Sequence, residues 1–239
     1  MDDIISNIEN KIKKWFIKNK KYLLTFLLYI LYQCSFLFSI FSLFNIRLSS
    51  LSRNAKIGLL FVDSLIYIII LIFMYKKDIK KGIEEFKKNK EKSITIALKC
   101  WTFGCVIMYV SSIIISYINK QDISNNEQAV RESIKAAPLY MLFSCSIVAP
   151  LFEELVFRKS LKELVKNKWV FIILSGVIFG GLHVIGTYKN PIDILYIIPY
   201  GSMGCAFAYL LSKTDNITLP IMVHMIHNTI LVVIQMIGR

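Results

Sequence analysis

Histidine and acidic residues are scarce in this chain. It has three histidines in 239 residues, and 16 Asp and Glu against 29 Lys and Arg. No polar stretch is long enough to build a soluble domain, so the net charge of +13 has no basic groove in which to hold nucleic acid. The lysines instead fall in blocks between hydrophobic runs, the pattern of residues that anchor at an anionic membrane face. The five cysteines, Cys34, Cys100, Cys105, Cys145 and Cys205, lie inside hydrophobic segments with no paired loop spacing, which argues against a disulfide framework or a zinc knuckle. They read as small apolar residues. The lack of an internal repeat and of paired broken helices weakens a transporter reading.

What the chain does have is hydrophobic length. With 55% hydrophobic residues and only five prolines, it reads as an all-α polytopic membrane protein. Runs at about 22 to 44, 57 to 75, 94 to 118, 138 to 166, 169 to 187, 192 to 211 and 217 to 237 each approach the roughly 20 residues of a membrane-crossing helix. That predicts about seven spans, the fourth of them long and interrupted by Pro150. The uncharged stretch from Tyr22 to Ile46 is too long for a signal-peptide core and reads as a retained first span. The polar segment 119–137 separates a three-helix region, 1–118, from a four-helix half, 138–239, as a connecting loop.

An N-terminus inside the cell puts 20 basic residues on the cytoplasmic side and eight on the other, with Lys99 inside the third helix. The expected arrangement is a multi-pass cell-membrane protein with its N-terminus cytoplasmic and its C-terminus outside. Asp63, near the outer end of the second helix, is expected to be solvated or to snorkel.

Three short motifs in the second half carry chemistry. The first is A-P-L-F-E-E-L-V-F-R, Ala149 to Arg158, where an ionisable residue at mid-depth costs roughly 2.5 to 3.5 kcal/mol. Glu154 and Arg158 are i,i+4 with the acid first, the favourable order for a pair on one helix face. Glu153 points about 100° away and is left unpaired and available for reaction. A charge cluster at a helix end is the plainer alternative. The second motif is F-G-G-L-H, in which Phe179 and His183 share a face; Gly176 and Gly180 let another helix approach closely. The third is H-M-I-H-N, in which His224 and Asn228 project together, with His227 at the edge of that face. A buried imidazole needs a hydrogen-bond partner, so a histidine doublet in an apolar helix is harder to dismiss as packing.

Depth ties the motifs together. At about 1.5 Å per residue, Glu153 lies about 20 Å in from Lys166, His183 about 21 Å from Trp169 and His224 about 16 Å from Lys213. The match requires the fourth helix to continue through Arg158 to about Lys166.

E-E-L-V-F-R, F-G-G-L-H and H-M-I-H-N resemble, in order and spacing, the EExxxR, FxxxH and HxxxN signatures of the CAAX protease and bacteriocin-processing family (CPBP, or Abi) of intramembrane proteases. The resemblance covers Pro138 to Ile237. It implies hydrolysis of a peptide bond of a membrane peptide or protein within the bilayer. Glu153 would activate the attacking water, His183 and His224 would position that water or hold a metal, and Asn228 would donate to the oxyanion. Glu154, Arg158 and Phe179 would support the site, and His227 matches no required position. If zinc is the cofactor, His183, His224 and Glu153 are its candidate ligands, although one glutamate serves poorly as both ligand and base. The family handles prenylated C-termini in eukaryotes and bacteriocin or pheromone precursors in bacteria; a short chain rich in Lys, Ile and Asn looks bacterial, which argues against a prenylated substrate. The competing reading is a catalytically silent scaffold or bacteriocin self-immunity protein with the same polar core. A cysteine peptidase is disfavoured because no cysteine stands at helical spacing from a histidine. Oligomeric state is not written in the chain.

Overall fold

A computed structural model describes residues 2–36 and 50–238. Its helices are α1 (Asp2–Gln33), α2 (Arg53–Lys88), α3 (Lys90–Asn119), α4 (Asn125–Ala136), α5 (Pro138–Leu164), α6 (Lys168–Ile185), α7 (Ile197–Thr214) and α8 (Thr218–Ile237), with a 3₁₀ turn, Pro191–Tyr196, leading into α7. No strand occurs among the described residues. Six of these helices, α2, α3 and α5 to α8, are long and apolar enough to cross a membrane. The remaining expected span, 22 to 44, runs into residues 37–49, which lie outside the described residues. Large apolar side chains such as Ile69, Phe73, Phe103, Ile113 and Ile173 are exposed, as suits a surface facing lipid.

The segment expected as a connecting loop contains a helix. Ser124 Oγ accepts from Glu127 N at 3.1 Å to start α4, and an Arg131–Glu127 pair braces its exposed face.

Helix α5 is the centre of the bundle: Val148, Leu151, Phe152, Leu155, Val156, Phe157 and Leu161 belong to the main buried cluster. It runs past Arg158 to Leu164, meeting the condition that the matched depths required. It accommodates Pro150 by local unwinding. Proline has no N–H and its ring clashes with the preceding turn. Just before it, Ser144–Val148 widens into a π-turn, in which Ala149 N–H bonds Ser144 O, five residues back. The next donor in that register is Pro150 itself, so the Cys145 carbonyl needs a partner from elsewhere. A second π-turn spans Leu155–Ser160, and there Ser160 Oγ caps Leu155 O at 2.9 Å.

The first two helices are built onto α5. Tyr75 OH sits 2.8 Å from both Thr25 Oγ1 and Ser160 Oγ, a buried hydroxyl chain joining α1, α2 and α5. Tyr32 stacks on Phe152 at 4.7 Å, and Tyr29 packs edge-on to Phe157 at 5.0 Å. Below them, Asp78 takes Lys21 at 2.8 Å and Lys159 at 3.2 Å. This charged layer lies six residues, or about 9 Å of rise, beyond Glu153. The lysine-rich face therefore comes closer to the site than a count from Lys166 implied.

Asp63 differs from its expected solvated state. It is only 5% exposed, and its Oδ1 has no hydrogen-bond partner among the described residues. Helix α2 begins at Arg53, so Asp63 lies well inside it beside buried Ser64 and Tyr67.

The closest helix pairing is α6 on α7, and glycine permits it. A Cβ at Gly180 would fall 2.5 Å from Ile197 O, and one at Gly204 would fall 2.9 Å from Gly176 Cα. This contact fixes Phe179 and His183 against α7.

Candidate active site

His224 on α8 lies between the two acids of α5. Its Nδ1 is 2.8 Å from Glu154 Oε1, and its Nε2 is 3.7 Å from Glu153 Oε2. Glu154 is fully buried and lies 3.3 Å from the fully buried Arg158 guanidinium. A buried cation needs a counter-charge, so Glu154 is ionised and can only accept. His224 Nδ1 therefore carries the ring proton and donates it to Glu154, and in the neutral ring Nε2 is an acceptor facing Glu153.

Arg158 is held mainly by charge and by rings. Its guanidinium lies 4.4 Å above Phe179 and 5.7 Å from Phe207, and none of its nitrogens makes a hydrogen bond among the described residues. Phe179 and Phe207 also flank His224, at 5.9 and 5.0 Å.

His183 is one helical turn beyond Phe179, whose ring lies 4.5 Å from its imidazole. Its Nδ1 is 2.9 Å from Phe179 O, a pure acceptor, so this ring also carries its proton on Nδ1 and leaves Nε2 free. Tyr200 stacks on the other face at 4.7 Å. The Tyr200 hydroxyl is held by Ser124 Oγ at 2.7 Å and by Asn126 Nδ2 at 3.2 Å.

Asn228 supplies the partner that the Cys145 carbonyl lacks: its Nδ2 donates to Cys145 O at 2.9 Å. One amide hydrogen is thereby fixed and the other remains available. His227 accepts from Trp101 Nε1 of α3 at 3.2 Å and so ties α8 to α3, in keeping with its lack of a place in the motif.

The fold therefore brings together Glu153, Glu154, Arg158, Phe179 and His224, sets His183 across the Phe179 ring, and anchors Asn228 to the π-turn of α5. It does not gather the candidate zinc set. Among the described residues, no three His, Cys, Asp or Glu side chains are arranged to hold a metal ion. Glu153 and His224 approach each other, but the His183 imidazole packs on the Phe179 and Tyr200 rings with its Nδ1 on Phe179 O. The three residues as placed do not fit a metal centre.

Comparison with known proteins now decides the family. Residues 135–230 match the model described as type II CAAX prenyl endopeptidase Rce1-like. A Bacillus subtilis (strain 168) protein that bears the name "Putative membrane peptidase YdiL" is 30% identical over 187 residues, 75% of this chain and 72% of its own length. The chain belongs to the CAAX protease and bacteriocin-processing family. Another relative is the membrane-embedded CAAX protease MroQ of Staphylococcus aureus (strain USA300), 28% identical over 231 residues, 90% of this chain and 89% of that protein. The UPF0177 protein YvdC of Lactococcus lactis subsp. lactis (strain IL1403) is 25% identical over 134 residues, 55% of this chain and 49% of its own length. No solved structure matches. Membership makes this an intramembrane protease of the CAAX type, and the matched residues span all three motifs.

Several residues of this family member's site carried no motif. Tyr200 stacks on His183 while Ser124 and Asn126 hold the Tyr200 hydroxyl, and nothing in their spacing pointed to it. Asp193 had a legible signal in N-P-I-D. Asn190 and Asp193 form a reciprocal cap on the 3₁₀ turn, and Asp193 also accepts from Asn119 at 3.2 Å and Asn125 at 2.9 Å. Asp193 thus joins the ends of α3 and α4 to the turn before α7.

Proposed function

We propose that the protein is an intramembrane endopeptidase that cleaves a membrane-associated peptide or protein with a water activated by Glu153. The observation that carries this reading is the 3.7 Å approach of Glu153 Oε2 and His224 Nε2. Two acceptors that close, with the His224 proton committed to Glu154, suit a water that donates one hydrogen to each and turns a lone pair outward.

Glu153 takes a proton from that water as the water oxygen bonds to the scissile carbonyl carbon. The carbonyl oxygen becomes an oxyanion, to which Asn228 donates its second amide hydrogen. On collapse the C–N bond breaks and the proton on Glu153 passes to the leaving nitrogen, giving one carboxyl and one amino terminus. His183, with Nε2 free, orients the water or the substrate amide. Glu154 and Arg158 keep His224 in the required tautomer.

The substrate class is a membrane-associated peptide or protein segment, as in peptide maturation, bacteriocin or pheromone processing, or CAAX-type C-terminal processing. The lysine-rich end faces the cytoplasm, with the C-terminus outside. The test compares membrane peptidomes of cells carrying wild type and Glu153→Ala, with the protein quantified in the same membranes. Peptide termini that vanish in the variant at equal protein level support peptidase function. Identical peptidomes at equal protein level contradict it, and loss of protein together with function would favour a scaffold or self-immunity protein.

A further inference from the structure

Between α3 and α6, over α7, runs an apolar groove of about 860 Å³ that contains none of the site residues described above. Its floor includes Gly176, Gly201 and Ala206, along the seam where α6 and α7 pack too closely for a Cβ at Gly176, which would fall 2.8 Å from Gly201 O. Phe103 and Val177 form exposed walls. On the floor, the Ser202 hydroxyl is already engaged: its Oγ donates to Pro199 O at 2.7 Å and lies 3.2 Å from Gly104 O. The floor thus offers little to an extended peptide, whose backbone groups would need partners in a bilayer. A hydrocarbon chain needs none.

The lysine-rich end of the groove is cationic. Lys99 and Lys213 line it, and Lys168 lies beside it over the rings of Trp169 at 5.2 Å and Tyr209 at 5.1 Å, both of which also line it. None of these three lysines forms an ion pair among the described residues, whereas neighbouring Lys159 and Lys162 are paired with Asp78, Glu163 and Asp215. Three unneutralised cations and two interfacial aromatics at the mouth of a dry channel match an anionic headgroup with its acyl chain below.

We propose that this groove binds one anionic diacyl phospholipid, its phosphate between Lys99, Lys168 and Lys213 and an acyl chain along Gly176 and Gly201. The site is separate from the peptidase reading and stands or falls without it. The full chain, purified in detergent, is titrated with phosphatidylglycerol brominated on the acyl chain. The readout is the part of the tryptophan quenching that disappears in Trp169→Phe. Saturable quenching that phosphatidylglycerol competes away at least tenfold better than phosphatidylcholine is expected. Lys99→Gln/Lys213→Gln should weaken binding by roughly fivefold per lysine, and Lys99→Arg/Lys213→Arg should restore it. Circular dichroism confirms that the variants fold. Equal competition by both lipids, non-saturable quenching, or affinity unchanged in the glutamine variant would each overturn the proposal. Displacement of the brominated lipid by an apolar peptide but not by phosphatidylglycerol would overturn it too, and would assign the groove to substrate.

Discussion

Two imidazoles flank Phe179 and present the same nitrogen by different means. On one side, His224 gives its Nδ1 proton to a buried carboxylate that is itself held by a buried arginine. On the other, His183 gives its Nδ1 proton to the carbonyl of Phe179 and is pinned by the Tyr200 ring. Both leave Nε2 free, but only His224 has a charged group behind it. A carboxylate backed by a buried arginine holds an imidazole through charge, whereas a carbonyl and a stacked ring hold it through neutral contacts. The His224 side is thus braced by buried charge, and the His183 side by neutral contacts that hold its ring still.

The largest effect should come from breaking the charged side. Arg158→Met leaves Glu154 buried without a cation and is expected to cost about 3–5 kcal/mol of stability, read as a drop in thermal midpoint and in membrane abundance. The double variant Glu154→Gln/Arg158→Met removes both charges and should regain much of that loss while activity stays low. If the double variant were as unstable as the single, the pair would not be what supports His224. Asn228→Ala should cost about 1–3 kcal/mol by leaving Cys145 O unpaired beside Pro150, and it should also lower the cleavage rate. A variant that lost rate at unchanged stability would show that the anchoring bond contributes little.

The first half of the chain was legible only as hydrophobic length. Tyr29, Tyr32 and Tyr75 were legible only as members of hydrophobic runs, so their packing and hydroxyl contacts with α5 could not be read from the sequence. The second half was far more legible, because i,i+4 spacing within one helix fixes which side chains project together, and the Glu154–Arg158 pair is present at 3.3 Å. Contacts between helices depend on rotation, and spacing does not give rotation. That is why the bond from Glu154 to His224, the stack of Tyr200 on His183, and the burial of Asp63 emerged only in three dimensions. Pro150 signalled an interruption, but the physical outcome is a π-turn with Asn228 as its external donor.

Smaller effects sharpen the neutral side. Tyr200→Leu removes the stack and should cost about 0.5–1.5 kcal/mol, up to roughly tenfold in rate, with His183 visible by NMR as a more mobile ring. An unchanged rate with a mobile ring would mean that His183 need not hold still. Tyr75→Phe, remote from both histidines, should cost about 0.5–1.5 kcal/mol of stability and leave the rate untouched.

In the proposed mechanism Glu153 activates the water while Glu154 supports His224. Single-turnover cleavage of a substrate peptide by purified Glu153→Gln, with thermal midpoint recorded on the same sample, tests it most directly. The expected result is a rate lowered by about 10²- to 10⁴-fold at an unchanged midpoint, since Glu153 is partly exposed and its one polar contact among the described residues, with His224, is 3.7 Å long and is open to glutamine as well. A rate within about twofold of wild type would contradict the assignment of Glu153 as the base.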